Sequence, residues 1–380
     1  MSEASVSIRL NPFKGSDGPD GQLVPWNHHA RLLSERPSFT LDPLFHAGCY
    51  YVQDSSAMYV GHVFRKIIDS MGFAKGGLKV LDLCAAPGGK TTDLACSLRE
   101  RLGDDFLLVS NEVMKARAAV LSDNVALWGD PNVAVCSCDP AAFAQLEGFF
   151  DVVVADVPCS GEGMFRKDPR AVQEWSPEVV ELCCARQKRI LADMWASLKE
   201  GGVLIYSTCT YEPCENDDNL LWAAQNLGGE IIAPEDEFSA HGVELTEHGY
   251  LLKAGVVPGE GQWVGALVKT ATQREKKHCS IETLRPIRHG IEKGTYKGKD
   301  FIPNADYALS IDFDRNAYPL VDVDLPTALK FLHRDSFPIP GAELGYNVIC
   351  YQGHPLGFVK NIGQRCNNLL PKGRRILMNV

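Results

Sequence analysis

Leu78-Lys79-Val80-Leu81-Asp82-Leu83-Cys84-Ala85-Ala86-Pro87-Gly88-Gly89-Lys90-Thr91 is the stretch on which the fold turns. An apolar run ends in small residues and two glycines and passes at once into a helix-compatible segment. It reads as a buried strand, Leu78 to Leu83, a tight turn, and a helix from Lys90 to Arg101. Small side chains at Ala85, Ala86, Gly88 and Gly89 let backbone approach a ligand at the carboxyl end of the strand. The string has neither G-x-G-x-x-G nor G-x-x-x-x-G-K-[ST], which weighs against a dinucleotide fingerprint and a phosphate-cradling loop. Glycines alone would fit any strand-to-helix turn; the whole string is more specific.

Outward from this turn the pattern stays regular. Strands are expected at Phe106 to Asn111, Val133 to Cys136, Phe150 to Val154 and Gly202 to Ser207, with helices at Lys115 to Trp128 and Pro177 to Leu198. Alternation at this pace predicts an α/β fold, a mainly parallel sheet with helices on both faces. The last helix is well marked, with Ser176 as N-cap, Pro177 at the first helical position and Gly201-Gly202 beyond its end. A further helix is expected from Asn219 to Asn226, and Tyr250 to Lys269 reads as strands returning to the sheet. Before the turn, residues 1–77 mix apolar runs with Pro and Gly and end in a helix, Ser55 to Met71. The catalytic unit is expected over 78–270, a Lys-, Arg- and Gly-rich linker over 271–300, and a small β-rich unit over 301–380, where Tyr346 to Gln352 and Pro355 to Val359 read as strands.

A chain of 380 residues is longer than one core usually supports, in keeping with this division. No apolar segment approaches the length of a membrane span, and Met1 to Leu10 has no basic n-region or apolar h-region, so a cytoplasmic chain is expected. The thirteen cysteines are odd in number and irregularly spaced, which argues for buried thiols over a disulfide scaffold. There is no C-x-x-C or H-x-x-x-H, and no metal is expected. The net charge of -10 divides unevenly. Residues 271–380 hold 16 Lys and Arg against 11 Asp and Glu, while the rest of the chain has a net charge of -15. Lys360, Arg365, Lys372, Arg374 and Arg375 come without an intervening acid, a tail that suits a phosphate backbone as well as it suits a solvated surface.

Three acids stand at successive strand ends. Glu112 follows the second strand, where doubly wound folds place an acid on ribose hydroxyls; Asp139 follows the third, in reach of an adenine amino group; Asp156 follows the fourth. Asp156 opens Asp156-Val157-Pro158-Cys159-Ser160-Gly161-Glu162-Gly163, and Ser207-Thr208-Cys209-Thr210 follows the fifth strand. A lone cysteine after a strand is usually a packed thiol. Two of them at neighbouring strand ends, where α/β folds bind ligands, point to one pocket, without saying which thiol attacks.

Cys84 to Thr91, Pro158 to Gly163 with Arg166-Lys167-Asp168-Pro169, and Ser207 to Thr210 together resemble the signatures of the Nol/Nop/Sun family of RNA cytosine-C5 methyltransferases, in order and spacing. Ser7-Ile8-Arg9-Leu10-Asn11-Pro12 resembles that family's Arg-x-Asn element. Gly353-His354-Pro355-Leu356-Gly357 and the basic tail resemble the PUA-like region of its bacterial 16S rRNA branch, the RsmF type. The resemblance implies a class I, Rossmann-like methyltransferase domain followed by a PUA-like RNA-binding domain, with S-adenosyl-L-methionine as cofactor. It implies that Cys84, Ala85, Ala86, Pro87, Gly88, Gly89 and Lys90 wrap the methionyl and ribose part, that Glu112 and Asp139 meet ribose and adenine, and that Asp156 sits between cofactor and base. It assigns Cys209 as the nucleophile and Cys159 to product release.

The chemistry gives a reason for both cysteines. Cytosine C5 is a poor nucleophile until a thiolate adds at C6, and the adduct must later eliminate. The target base must also leave its stack. The implied partner is structured RNA, rRNA of the small ribosomal subunit before any other, bound by a monomer without membrane or metal. A tRNA substrate and a non-catalytic ribosome-assembly factor are the rivals. Three features depart from the family pattern: Val157 replaces the usual Ala, Trp128 stands where an Arg is frequent and suggests a changed surface contact, and only about eight residues precede Arg9, so part of the N-terminal RNA-binding segment is expected to be missing.

Overall fold

The computed structural model describes residues 6–15, 18–71, 77–166, 169–270 and 279–378. Its centre is a 10-stranded sheet with a parallel heart of five strands. Leu198–Thr208, Phe150–Asp156, Leu78–Asp82, Phe106–Asn111 and Val133–Cys136 lie side by side in that order. The chain therefore starts in the middle, runs to one edge, and returns to the middle at Phe150. The crevice where the direction of travel reverses opens between the carboxyl ends of Leu78–Asp82 and Phe150–Asp156, the usual ligand site of such sheets. Antiparallel strands extend both sides. Gln262–Lys269 pairs with Leu198–Thr208, and Arg288–His289 pairs with Val133–Cys136.

The parallel strands are buried on both faces, which is why Val80, Leu81, Val152, Val153 and Val154 form unbroken apolar runs and not alternating ones. One face packs the helices Tyr59–Ser70, Gly89–Leu102 and Lys115–Trp128. The other packs the 3-10 turn Pro140–Gln145 and the helix Pro177–Met194. The expected cap is present, with Ser176 Oγ accepting from Val179 N at 3.3 Å and Pro177 at the first position. That helix stops at Met194, short of the expected Leu198, because a 3-10 turn at Trp195–Ser197 leads into a strand that begins at Leu198 and not at Gly202.

Residues before the turn form a four-stranded antiparallel sheet, Gln22–Val24, Asn27–Leu33, Val6–Leu10 and Tyr50–Val52. At the other end, Leu320–Asp322, Gly345–Tyr351, His354–Asn361 and Cys366–Asn368 form a second sheet, with the helix Leu325–His333 against it. The two units share a core in which Ile8 and Tyr50 meet Phe331 and Ile349.

Several expectations need correcting. Part of 271–300 lies outside the described residues (271–278), and the remainder is more than a linker: Arg288–His289 is an edge strand of the large sheet, with Ile287 N donating to Val135 O at 2.8 Å. The C-terminal unit contains a helix where only strands were expected. Trp128 makes no surface contact; it is buried and carries the Arg9 guanidinium 4.6 Å above its ring. Arg374, read as part of a phosphate-facing tail, has a side chain only 7% exposed and is engaged by Asp123 and Asp306 at 3.0 and 2.6 Å. Arg365, Lys372 and Arg375 are the exposed cations of that tail. All thirteen cysteines are free thiols, and no helix among the described residues is long and apolar enough to cross a membrane.

Candidate functional site

The glycine turn is pinned to the strands beside it: Leu83 N donates to Val154 O at 2.9 Å and Ala85 N to Asn111 O at 2.8 Å. Gly88 has φ +113, a conformation that disfavours a side chain, and a Cβ there would press on Leu121 at 3.1 Å. Beneath the turn, Asp82 is buried and accepts from Thr91 Oγ1 at 2.6 Å; burial lifts its pKa to about 7. The turn opens onto a cavity of about 200 Å³ lined by Cys84 to Pro87, Gly89, Lys90 and Asp156, faced by Tyr51 to Asp54 and Ala57. Gly88 is not among the residues that line it. The facing wall had no signal in the sequence, because it is the N-terminal sheet folded over the turn.

Arg9 holds that sheet in place. Its fully buried guanidinium donates to Gln53 Oε1 at 3.1 Å, to Gly89 O at 3.2 Å, and to both the hydroxyl and the carbonyl of Thr92. Asn11 donates to Gly48 O and Trp128 O at 3.1 and 3.0 Å. Arg9 thus braces the first turn of the helix that follows the glycines, while Asn11 ties the N-terminal unit to the end of the helix Lys115–Trp128.

Glu112 and Asp139 stand at their strand ends but are not among the residues lining this cavity. Glu112 is buried, accepts from Met114 N at 2.9 Å and lies 3.2 Å from Arg117 Nη1. Asp139 is exposed and caps the 3-10 turn after it, accepting from Ala141 N at 3.0 Å.

Asp156, Cys159 and Cys209 do converge. The Asp156 carboxylate accepts from Lys90 Nζ at 2.9 Å, from Ser207 Oγ at 2.7 Å and from Gln262 Nε2 at 3.0 Å. Gln262 was not foreseen; it reaches in from the antiparallel strand beside Leu198–Thr208. The two sulfurs are 3.1 Å apart, each half-buried. The loops that carry them are tied: Gly163 N donates to Cys209 O at 2.7 Å, and Glu162 accepts from Tyr211 N at 2.6 Å and Thr210 Oγ1 at 2.9 Å. A Cβ on Gly163 would come within 2.8 Å of Cys209 O, so the approach needs glycine. Arg166 lies 3.6 Å from Glu260, while Lys167 and Asp168 of the same motif fall outside the described residues.

The two thiols are electrostatically unequal. The hydrogen bond from Cys159 holds the Cys209 thiol below its ordinary value, and the Lys90 ammonium acts the same way against burial and the Asp156 charge. That same hydrogen bond, burial and the charge on Cys209 push Cys159 well up, and Glu215 adds to it. Burial disfavours the Lys90 ammonium, but the Asp156 carboxylate outweighs it and its pKa rises. The arrangement offers one thiol that gives up its proton more readily, a second that holds its own more tightly, and an ion pair beside the cavity. Elsewhere His28, His29 and Glu100 bring potential ligand atoms within 4.8 Å of one another, a grouping that spacing rules miss because Glu100 comes from another element.

The chain is similar to known proteins over most of its length. Residues 74–233 match the family described as 16S rRNA methyltransferase RsmB/F, and residues 318–376 match the methyltransferase RsmF PUA domain. A ribosomal RNA small subunit methyltransferase F of Escherichia coli O157:H7 is 35% identical over 387 residues, covering 86% of this chain and 78% of the relative. The protein of that name from Pectobacterium atrosepticum is 29% identical over 442 residues, covering 96% and 88%. Among solved structures, a methyltransferase homolog protein from Pyrococcus horikoshii superposes with a TM-score of 0.57 at 27% identity, covering 70% of this chain and 87% of that one.

Proposed function

Because the chain belongs to the 16S rRNA methyltransferase RsmB/F family, we propose that it methylates C5 of a cytosine in 16S rRNA through a covalent adduct between Cys209 and C6 of the base. The observation that carries this reading is the 3.1 Å pair of unequal thiols beside the Lys90–Asp156 ion pair at the cavity mouth. A methyltransferase acting on an already nucleophilic atom needs no thiol at all; one acting on pyrimidine C5 needs a nucleophile for C6 and a means of releasing it.

The residues present fit S-adenosylmethionine. On the turn side the cavity wall is mostly small residues, Cys84 to Pro87 and Gly89, and a Cβ added to Gly89 would come within 3.3 Å of Tyr51 and 3.4 Å of Gln53, narrowing the space between turn and facing wall. Cys84 to Lys90 and Asp156 hold its methionyl and ribose end, and Glu112 and Asp139 are assigned to ribose and adenine. When bound, it supplies the sulfonium methyl that becomes bonded to C5.

The chain's own residues do the rest. Cys209 attacks C6 as thiolate, and the π pair moves to C5. The Asp156 carboxylate, oriented by Lys90, Ser207 and Gln262, accepts from the N4 amino group and from N3–H of the N3-protonated base, the form whose ring takes up the electron pair without a net negative charge. After methyl transfer a solvent water takes the C5 proton, the C5–H electron pair re-forms C5=C6, and the C6–S bond breaks with its pair returning to Cys209. Cys159 assists that release by donating to the departing sulfur. The PUA domain and the exposed Arg365, Lys372 and Arg375 hold the RNA.

Methyl transfer from labelled cofactor to separated small subunits, naked 16S rRNA and bulk tRNA, followed by bisulfite sequencing, tests the proposal. One protected cytosine in 16S rRNA is expected. Label in tRNA would move the substrate, label at another atom would remove the C5 chemistry, and cofactor binding without transfer to any RNA would leave a non-catalytic assembly factor.

A further inference from the structure

The Cys159 loop is gripped from both sides by buried polar groups that lie outside the motifs. Gln187, on the helix Pro177–Met194, donates from Nε2 to Pro158 O at 3.0 Å and to Glu215 Oε2 at 2.7 Å. Glu215 in turn accepts from Ser160 N at 3.1 Å. The peptide units before and after Cys159 are therefore both fastened to one Gln–Glu pair, and the pair is fully buried, each residue at 0% exposure. The amide orientation of Gln187 is fixed, because Pro158 O can only accept; its Oε1 accepts from Asn219 Nδ2 at 2.7 Å and from the Tyr206 hydroxyl at 3.0 Å. Every polar atom of the clamp is engaged, so the grip is rigid.

The clamp puts a carboxylate where the packing alone needs none. Burying a carboxyl group is costly unless it is well bonded, and an amide could satisfy the Ser160 N–H as well. What the amide lacks is charge. We propose that Glu215 is a positioning residue that fixes Cys159 against Cys209 and keeps the Cys159 proton on its sulfur, so that Cys159 serves as the hydrogen-bond donor to the Cys209 sulfur when the adduct eliminates. This rests on the covalent-adduct reading given above. The atoms balance: a solvent water takes the C5 proton, C5=C6 re-forms, the C6–S pair returns to Cys209, and the Cys159 S–H stabilises that pair without being consumed. A Cys159 thiolate would repel it.

The groups around Cys159 are few. Cys209 faces it from its own loop and Tyr206 from the strand Leu198–Thr208, and the Glu215 charge acts on it as well. The Lys90 ammonium acts on Cys209. Burial raises the Glu215 pKa while its two hydrogen-bond donors oppose that rise.

The test needs neither RNA nor cofactor, so it stands or falls apart from the methylation chemistry. In a Cys209→Ser background, the rate of Cys159 alkylation by iodoacetamide is followed against pH by peptide mass spectrometry. Glu215→Gln is expected to lower the midpoint by about one pH unit, a tenfold rise in the thiolate fraction at a fixed pH below it. Glu215→Asp, which keeps the charge, is expected to stay near the parent. Equal falls in both variants, or no fall in the Gln variant, overturn the proposal. Should Glu215→Gln not fold, Gln187→Leu takes its place: at the alkaline pH where Cys159 titrates the Glu215 carboxylate stays ionised, and with one donor fewer its charge is less compensated, so the midpoint is expected to rise, and an unchanged or lowered midpoint overturns the idea.

Discussion

Replacing Arg9 by methionine removes a guanidinium that is fully buried and joins the N-terminal sheet to the helix after the glycine turn. Gln53 Oε1 and Thr92 Oγ1 lose a charged donor, at about 1.5–3 kcal/mol each. The stacking over Trp128 contributes about 1–2 kcal/mol when desolvated. Against this, the desolvation of the guanidinium is relieved, which returns several kcal/mol. Asp93 keeps Arg65 at 3.1 Å and Asn27 at 3.2 Å, so no carboxylate is stranded. The carbonyls of Gly89 and Thr92 sit in a helix and keep other partners. The balance is a loss of about 2–4 kcal/mol, a large share of the roughly 5–15 kcal/mol that holds a domain folded. Urea unfolding measures it. Arg9→Lys keeps the charge but reaches fewer acceptors and stacks poorly, so about half the loss is expected. Because Gly89 is part of the cavity wall, cofactor affinity in the Met variant is expected to fall about tenfold, measured by calorimetry. A Met variant within about 0.5 kcal/mol of the parent, with unchanged affinity, would refute the idea that this element braces the site.

Further expectations rest on single residues. Asp82, with its pKa lifted to about 7 by burial, binds its proton more tightly folded than unfolded; its contribution is therefore fully present below about pH 4 and lost as pH rises through 7. Asp82→Asn is expected to flatten that dependence and to gain up to about 4 kcal/mol at pH 8, and thermal or urea unfolding from pH 5 to 8 would show a parallel curve if the assignment were wrong. Arg374→Ala strands much of the charge of the half-shared Asp306 and is expected to cost about 2–3 kcal/mol in stability while leaving the salt dependence of RNA binding unchanged. Arg375→Gln should do the reverse, lowering the slope of log affinity against log salt by about 0.7–0.9 with stability intact. Iodoacetamide at pH 7 is expected to label Cys209 before Cys159 in the intact chain, and the opposite order would contradict the direction of their shifts.

The parallel core was legible in the sequence because its strands are buried on both faces and leave continuous apolar runs, and because Ser176-Pro177 marks a helix start by local chemistry alone. Cys84 to Lys90, Asp156, Cys159 and Cys209 were legible for the related reason that each follows such a strand. What escaped was long-range or short. Arg9 reaches Thr92 across 83 positions, and nothing local says that an N-terminal arginine belongs to a helix start. Gln262 joins Asp156 from a strand whose antiparallel direction periodicity cannot reveal. The helix Leu325–His333 opens with Leu-Pro after Asp324, which looks like a turn until the Asp324 side chain is seen accepting from Thr327 N at 3.0 Å. Arg374 looked like part of a basic tail because its two acid partners, Asp123 and Asp306, are far away in the chain.

The central claim is the division of labour between the two sulfurs 3.1 Å apart. Cys159→Ser and Cys209→Ser, each incubated with 16S rRNA and S-adenosylmethionine and run on a denaturing gel, test it directly. An RNA-linked band that survives denaturation is expected with Cys159→Ser, and neither band nor methylation with Cys209→Ser; a stable adduct in Cys209→Ser and none in Cys159→Ser would contradict it.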